Sequence, residues 1–409
     1  MGHSWTDPEI ILLIVLLAFI VYSLLTKAVA RTIITLPMVF AAIGFVMSGP
    51  ISETVPEALL DDGVRFVAEI TLVLVLFSDA SHVRLEHLRK DYGLPLRMLV
   101  FGMPMSIALG TAVVFVLNPA AGIAMALLTA AVLTPTDAAL GQPVVASPEV
   151  PQHLSETVNV ESGLNDGLAL PFVLFGAITA SMGATGAATD GLALAAVLQV
   201  ILGPLAGIAV GWATAKAMDF AQNRDLMAES ASGVVFLATA FVAYFGAELI
   251  GGNGFIAAFV AGMVFGNSYR HDIRFIGEFM EGAGQLLTMA AFLIFGAILL
   301  PRGFAYFSIQ AALVAILFLT VVRMLPIFLS LAGTGLPTRE KLFLGWFGPR
   351  GLASILFTLI MIDSYDIPNQ EEFLACVSMT VCLSIVVHGV TATPLARRIG
   401  RRSKVRKQQ

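Results

Sequence analysis

Charged residues are scarce in this sequence: only 12% of its 409 residues are Asp, Glu, Lys or Arg. A soluble protein carries about 25% charged residues, whereas 57% of this chain is hydrophobic and its mean hydropathy is +0.88. The apolar residues are spread along the whole length, which leaves no room for a soluble domain. The composition therefore predicts an all-α integral membrane protein with a single transmembrane domain over residues 1–396.

Cysteine is also scarce, with Cys376 and Cys382 as the two present. They stand six positions apart in the last apolar run, on different faces of a helix, and we expect both to be packing residues. The six histidines fall mostly in predicted loops and show no metal-ligand spacing. Because no nucleophile–base set or cofactor motif is present, we expect neither enzyme activity nor a bound cofactor.

Thirteen apolar stretches are long enough to cross a bilayer, which takes about 17–25 residues each. We place them at approximately 9–25, 32–48, 64–80, 96–116, 122–140, 155–180, 192–216, 230–248, 252–267, 283–300, 305–330, 339–362 and 371–396. The stretch 252–267 is the shortest and the richest in glycine, and is the weakest of the thirteen predictions.

The positive charges are distributed very unevenly between the two sides of these spans. With thirteen spans, 19 of the 23 Lys and Arg residues lie on one side, and only Arg65 and Arg302 lie on the other. Cytoplasmic connections carry the excess of positive charge, so we predict an inner-membrane protein with its N-terminus outside and its C-terminus in the cytoplasm. We expect the short basic tail 397–409 to anchor the chain at the inner membrane surface and not to bind nucleic acid.

The segment 161–167, Glu-Ser-Gly-Leu-Asn-Asp-Gly, places two carboxylates inside an otherwise apolar stretch. On a helix, Ser162, Asn165 and Asp166 share one face and Glu161 lies beside Asn165. An ionised carboxylate at membrane depth costs several kcal/mol unless it is paired or meets a water-filled cavity. A polar seam between helices is the alternative, but amides and hydroxyls would serve that purpose without a carboxylate. We therefore predict a functional site here.

Two further stretches contain a helix-breaking proline next to a charged residue. In the fifth stretch Pro135 precedes Thr136 and Asp137, and in the twelfth Arg350 lies within Gly-Pro-Arg-Gly at 348–351. Interrupted helices in corresponding positions of two halves indicate the binding site of a secondary transporter. Asp137 and Arg350 are expected to neutralise the half-helix ends, which are positive at N-termini and negative at C-termini. For Arg350 we favour this structural role over direct contact with a substrate.

A third embedded charge, Arg323, needs a carboxylate partner because an unpaired guanidinium in the membrane would be very costly. We predict that this partner is Glu161; the alternative is that Arg323 extends toward the inner surface. Asp79, near the end of its span, is interpreted as a funnel or solvated residue and not as a ligand. The glycine-rich run 251–266 is expected to allow close helix packing.

Four motifs taken together resemble the cation/proton antiporters of the NhaP/NHE type. They are Thr-Asp at 136–137 in a proline-broken helix, Glu-Ser-Gly-Leu-Asn-Asp-Gly at 161–167, Gly-Phe-Ile-Ala-Ala-Phe-Val-Ala-Gly at 254–262 and Gly-Pro-Arg-Gly at 348–351. The resemblance implies the sodium/proton antiporter fold, with thirteen helices in inverted repeats and two crossed broken helices. It also implies a homodimer. Core helices at about 64–180 and 252–396 would move against dimerising scaffold helices at about 9–48 and 192–248.

The resemblance also implies roles for single residues. Asp166 is expected to be the carboxylate that binds the cation and the proton, with Asn165, Ser162 and the carbonyl of Thr136 as its neighbours. Asp166, Ser162 and Thr136 would hold the transported Na⁺. Glu161 with Arg323 would form the family's core salt bridge, and Asp137 and Arg350 would be the charges at the crossed helices. One departure is that Thr136-Asp137 is followed by Ala138, where the family often has proline.

The predicted function is secondary active antiport of a monovalent cation against H⁺ by alternating access. Na⁺ is the first choice, with Li⁺ and K⁺ as alternatives, and the two ions would compete at Asp166. The resemblance associates an Asn-Asp pair with electroneutral exchange, which predicts a 1:1 ratio. A cation channel is the alternative class, although nothing resembles a selectivity-filter repeat. An organic-anion transporter would need a cationic group at the site, for which Arg350 is the only candidate.

Overall fold

The structure is a computed structural model that describes residues 8–29, 32–54, 57–83, 93–137, 140–141, 144, 147–185, 189–228, 230–271 and 274–407. Within these residues the chain forms helices joined by turns and short irregular segments, and no strand occurs among them.

The helices are numbered here in chain order. They are α1 (Pro8–Val29), α2 (Leu36–Thr54), α3 (Glu57–Ser81), α4 (Gly93–Leu117), α5 (Gly122–Val132), α6 (Gln152–Thr185), α7 (Thr189–Asn223), α8 (Ala231–Leu249), α9 (Gly254–Ser268), α10 (Arg274–Ile294, continuing through the π-helical turn Phe295–Leu299 into Leu300–Ala305), α11 (Ile309–Ser330), α12 (Thr338–Trp346), α13 (Leu352–Ser364) and α14 (Gln370–Lys407).

Nine helices of the described part are long and apolar enough to cross a membrane. Three shorter apolar helices accompany them, over Pro119–Val132, Gly254–Ser268 and Leu352–Ser364. Each of the thirteen apolar stretches contains a helix or two half-helices, including the glycine-rich stretch 252–267, which forms α9. The all-α membrane architecture predicted from composition is thereby confirmed, while the number of bilayer crossings remains a prediction.

The last helix continues into the basic segment that the sequence predicts as a tail. α14 begins with Glu371 and Glu372 in its first turn and runs on to Lys407. Acidic side chains stabilise a helix N-terminus, which carries partial positive charge. Several basic residues used for the orientation, among them Arg31, Arg84, Arg89 and Lys90, lie outside the described residues.

Glycine allows α9 to pack with almost no gap against its neighbours. A Cβ on Gly262 or Gly266 would overlap the carbonyl oxygens of Phe77 and Ser81 in α3. Small residues at this spacing let two helix backbones approach closely, which is the packing role expected for the run 251–266. On α6, the ring of Phe259 occupies the space where a side chain at Gly167 would lie. α9 thus holds α3 beside the helix that carries the polar segment 161–167.

Two broken helices cross each other next to α6. α5 ends at Val132, and the chain is irregular over 133–137 before it is helical again at 140–141. α12 ends at Trp346, and α13 begins at Leu352 after a second irregular segment. The breaks are joined directly, because the backbone N–H of Asp137 donates to the carbonyl of Pro349 at 2.7 Å. The crossed broken helices predicted from the two proline motifs are therefore present.

Candidate functional site

Asp137 neutralises the N-terminal ends of two half-helices at the crossing. Its Oδ2 accepts a hydrogen bond from the backbone N–H of Leu352, the first residue of α13, at 2.7 Å. Its Oδ1 accepts from the N–H of Leu140 at 3.3 Å. The first N–H groups of a helix have no partner within the helix and carry partial positive charge. These two contacts are the ones that the predicted compensating role of Asp137 requires.

Arg350 performs the opposite task at the C-terminal end of α5. Its side chain is fully buried, and Nη1 donates to the carbonyl of Thr134 and, at 3.1 Å, to that of Pro135. The hydroxyl of Ser354 satisfies one more carbonyl of the same helix end, that of Val132, at 2.7 Å. Bare carbonyls at membrane depth are tolerated only where protein or a cavity satisfies them. These contacts with backbone oxygens fit the structural role expected for Arg350.

The predicted ion pair between Glu161 and Arg323 is present and bidentate. Nη1 of Arg323 lies 2.7 Å from Oε1 of Glu161, and Nη2 lies 3.0 Å from Oε2. Both residues are at most 3% exposed, so Arg323 does not extend toward the membrane surface. The guanidinium fills the space beside Gly348, where a Cβ would collide with it. The second break therefore needs glycine at this position.

The hydroxyl of Thr136 is the centre of a buried polar cluster. Nδ2 of Asn165 donates to it at 2.5 Å, and its other contacts are Ser162 Oγ at 3.1 Å and Glu161 Oε2 at 3.3 Å. All four side chains are almost fully buried. The first break thus meets the polar face of α6, and four of the predicted site residues come together.

Asp166 is next to this cluster, and one of its oxygens has no hydrogen-bond donor among the described residues. The residue is 8% exposed, and its buried Oδ1 has no hydrogen-bond partner among the described residues. The same is true of the Oδ1 atom of Asn165. Buried acceptors are normally hydrogen-bonded, and a buried carboxylate without a partner is costly. Two such oxygens in adjacent residues, one of them on a carboxylate, form a set that a cation or a proton would satisfy.

A cavity of about 490 Å³ connects Asp166 with the ends of α3 and α10. Its lining includes all of the following polar side chains: Ser78, Asp79, His82, Asp137, Asn159, Asp166 and Thr288. Asp79, interpreted from the sequence as a funnel residue, therefore shares this space with Asp166. Sequence reasoning missed Ser78, Asn159 and Thr288. For Ser78 the available signal was the polar group at 78–82 that ends an apolar run.

The close contact between the two breaks leads to a prediction for Gly351. A Cβ at this position would overlap the Asp137 carboxylate, so Gly351→Ala should displace it from the N–H of Leu352. We expect a loss of about 1–3 kcal/mol in the free energy of unfolding, as for other overpacked sites, measured by thermal unfolding of the purified protein. Gly246→Ala on α8 is the matched control, because a Cβ there meets nothing within 4 Å. Equal stability of the two variants would contradict this geometry.

An all-helical membrane fold with two crossed broken helices and a buried carboxylate at a cavity defines the class of secondary transporters. The model of the family described as "Sodium/hydrogen exchanger, transmembrane" matches residues 10–398. The chain therefore belongs to the sodium/hydrogen exchanger family, a family of multi-pass membrane transporters.

Individual relatives and a solved structure show the same similarity. The chain is 24% identical over 382 residues to "K(+)/H(+) antiporter NhaP2" of Shewanella oneidensis, covering 91% of this chain and 64% of the relative. It is 26% identical over 361 residues to "Na(+)/H(+) antiporter 2" of Zygosaccharomyces rouxii, covering 79% and 44%. The chain spans less than two thirds of the length of these relatives. The sodium proton antiporter MjNhaP1 from Methanocaldococcus jannaschii superposes with a TM-score of 0.77 at 19% identity, covering 94% of this chain and 97% of that one. This match shows the fold.

Proposed function

We propose that this protein is a secondary active antiporter that exchanges one monovalent cation for one proton at Asp166. The observation that carries the proposal is the pair of buried oxygens on Asn165 and Asp166 that no described residue satisfies. Family membership and the names of the relatives support exchange of a cation for a proton. Oxygen ligands from carboxylate, amide and hydroxyl groups suit a hard cation. Na⁺ is our first choice, and K⁺/H⁺ exchange is the alternative within the same mechanism.

Burial of Asp166 explains how the two ions would be coupled. An ionised carboxylate without a partner is costly in the membrane interior, so the site changes sides only when it holds a proton or a cation. The two loaded states carry the same charge, and a complete cycle moves one charge in each direction. Exchange at this one carboxylate is therefore electroneutral. Glu161 and Asp137 are already engaged by Arg323 and by helix ends, which leaves Asp79 as the candidate for any second titrating group.

The cavity also suggests which state the structure represents. It reaches the C-terminal end of α3 and the N-terminal part of α10, and the distribution of Lys and Arg puts these ends in the cytoplasm. We therefore propose an inward-open state, with the N-terminus outside and the C-terminus inside.

The cavity separates α3 and α10 from α6 and the two breaks. This favours a division in which α3 and α10 belong to the scaffold, whereas the boundaries predicted at 64–180 and 252–396 place them in the moving core. We retain the homodimer as a proposal.

The decisive experiment is proton movement in acid-loaded liposomes that contain the purified protein. Na⁺, Li⁺ or K⁺ is added outside while the membrane potential is clamped at two values. We expect cation-evoked alkalinisation of the lumen that is the same at both potentials. A voltage-dependent response would require a second titrating carboxylate. Cation flux that rises linearly without any proton gradient would favour the channel, and no response to any cation would contradict antiport.

Competition between the two ions predicts how the cation dependence changes with pH. Since Asp166 holds either a proton or a cation, acidifying the side of cation uptake should raise the apparent KM for the cation, by up to about tenfold for each pH unit by mass action. The maximal rate at saturating cation should stay constant. Initial rates of radioactive Na⁺ uptake at several external pH values measure both quantities. A falling maximal rate with a constant KM would exclude a shared site.

A further inference from the structure

A buried histidine ties the second helix break to the last helix. His388 lies on α14 and is 1% exposed, whereas the other described histidines, His82, His153 and His271, are at least partly exposed. Its Nε2 lies 3.0 Å from the carbonyl oxygen of Trp346, the last residue of α12. Its Nδ1 lies 3.1 Å from the hydroxyl of Ser384, one turn earlier on α14.

The hydrogen bonds around Ser384 determine which imidazole nitrogen carries the proton. The Ser384 hydroxyl accepts the backbone N–H of Arg350 at 2.6 Å, and its single proton is free to go to Nδ1 of His388. Nδ1 also lies 3.2 Å from the carbonyl of Ser384 and could donate there instead. In that tautomer, however, an unprotonated Nε2 would face the carbonyl oxygen of Trp346. The neutral form with the proton on Nε2 satisfies every group.

These bonds lead from His388 to the candidate ion site. His388 holds the end of α12 and, through Ser384, the backbone of Arg350. The Arg350 guanidinium in turn holds the carbonyls of Thr134 and Pro135, directly before Thr136. Thr136 is the centre of the polar cluster next to Asp166. His388 itself is not among the residues that line the cavity.

We propose that His388 is a positioning residue for the ion site. Its two hydrogen bonds fix the second break, so that Arg350 holds Thr136 against Asn165 and Ser162 in the geometry that receives the cation. The inference rests on the proposed function of Asp166 and adds to it a residue that touches neither ion. Its loss should weaken cation binding more than it slows turnover, because the cation-binding geometry relaxes while the carboxylate that carries both ions remains.

The test compares three substitutions of His388 in the 409-residue protein in liposomes. His388→Phe keeps an aromatic ring but removes both hydrogen bonds. We expect the apparent KM for Na⁺ to rise about tenfold, which corresponds to the net free energy of about one buried hydrogen bond. The maximal rate should stay within about twofold. His388→Gln can donate to the carbonyl of Trp346 again and should recover most of the affinity. His388→Asn reaches only toward Ser384 and should recover less.

Ser384→Ala removes the hydroxyl that links His388 to the backbone of Arg350, and it should raise the KM in the same way. Because both residues belong to one hydrogen-bonded unit, the double variant with His388→Phe should be no worse than the more severe single variant. Thr380→Val is the control, since this buried hydroxyl on α14 bonds to the carbonyl of Cys376 in its own helix. Its KM should equal that of the wild type.

A second readout is the thermal stabilisation of the purified protein by Na⁺ or Li⁺, which reports binding without transport. We expect the cation concentration for half-maximal stabilisation to rise in His388→Phe and to return in His388→Gln. Unchanged KM and stabilisation in His388→Phe would overturn the proposal, as would a KM in His388→Gln as high as that of His388→Phe. If His388→Phe does not fold, Ser384→Ala decides by the same criteria. A wild-type protein with neither exchange nor stabilisation would instead overturn the proposed function itself.

Discussion

We expect Asp166→Asn to reduce cation-evoked proton movement to the level of protein-free liposomes, at every pH and with every cation. Asparagine keeps the size of the side chain but neither takes up a proton nor neutralises a cation. Losing a compensating charge at membrane depth costs about 3 kcal/mol, a factor of about 100 in binding. The measurement is the liposome assay with Na⁺, Li⁺ and K⁺, combined with thermal stabilisation by each cation, which should also disappear.

The matched control for this variant is Glu156→Gln on the same helix. Glu156 is a carboxylate on α6 whose partner is the side chain of Gln152 in an exposed position, so its neutralisation should leave exchange unchanged. Full exchange by Asp166→Asn would refute the proposal that this carboxylate carries both ions. Loss of exchange in Asp79→Asn with normal exchange in Asp166→Asn would move the site to α3.

The second large effect concerns the buried ion pair of Glu161 and Arg323. We expect Glu161→Gln and Arg323→Gln each to lower the free energy of unfolding by about 3–5 kcal/mol, because either change leaves one charge buried without its partner. The double variant removes both charges and should regain a large part of that loss. Thermal unfolding of all four proteins in the same detergent gives the comparison.

Arg398→Gln provides a reference for the loss of a positive charge at an exposed position of α14, and we expect an effect near zero. If the two single variants at the ion pair were no less stable than this reference, the pair would not stabilise the fold. Destabilisation of the double variant by the sum of the single effects would show that the two side chains act independently, against the bidentate geometry.

Charge in an apolar chain made part of this site predictable from the sequence. A guanidinium at membrane depth has few carboxylates to choose from, so Glu161 could be selected for Arg323 before any contact was known. The proline motifs predicted the two breaks, and the charges beside them were expected to neutralise the partial charges of the exposed helix ends. These inferences depend on the high cost of isolated charges, which leaves few arrangements that a chain could adopt.

Other features escaped prediction because they depend on contacts that leave no sequence signal. His388 looks like an isolated polar residue in the last apolar stretch, and its partner Trp346 contributes only a backbone carbonyl. The sequence interpretation of Asp79 as a funnel residue did not say that it shares a cavity with Asp166, because this depends on how α9 holds α3 beside α6. The division into core and scaffold stays a prediction, since helix packing decides which neighbours a helix has.

The length of α14 has a mechanical consequence. Its 38 residues span about 57 Å at a rise of 1.5 Å per residue, nearly twice the ~30 Å thickness of the hydrocarbon layer. The same helix carries Ser384 and His388, which hold the second break. A probe attached to the C-terminal end of α14 would therefore lie on the same helix that holds the crossing of the two breaks, and would report movements of that helix.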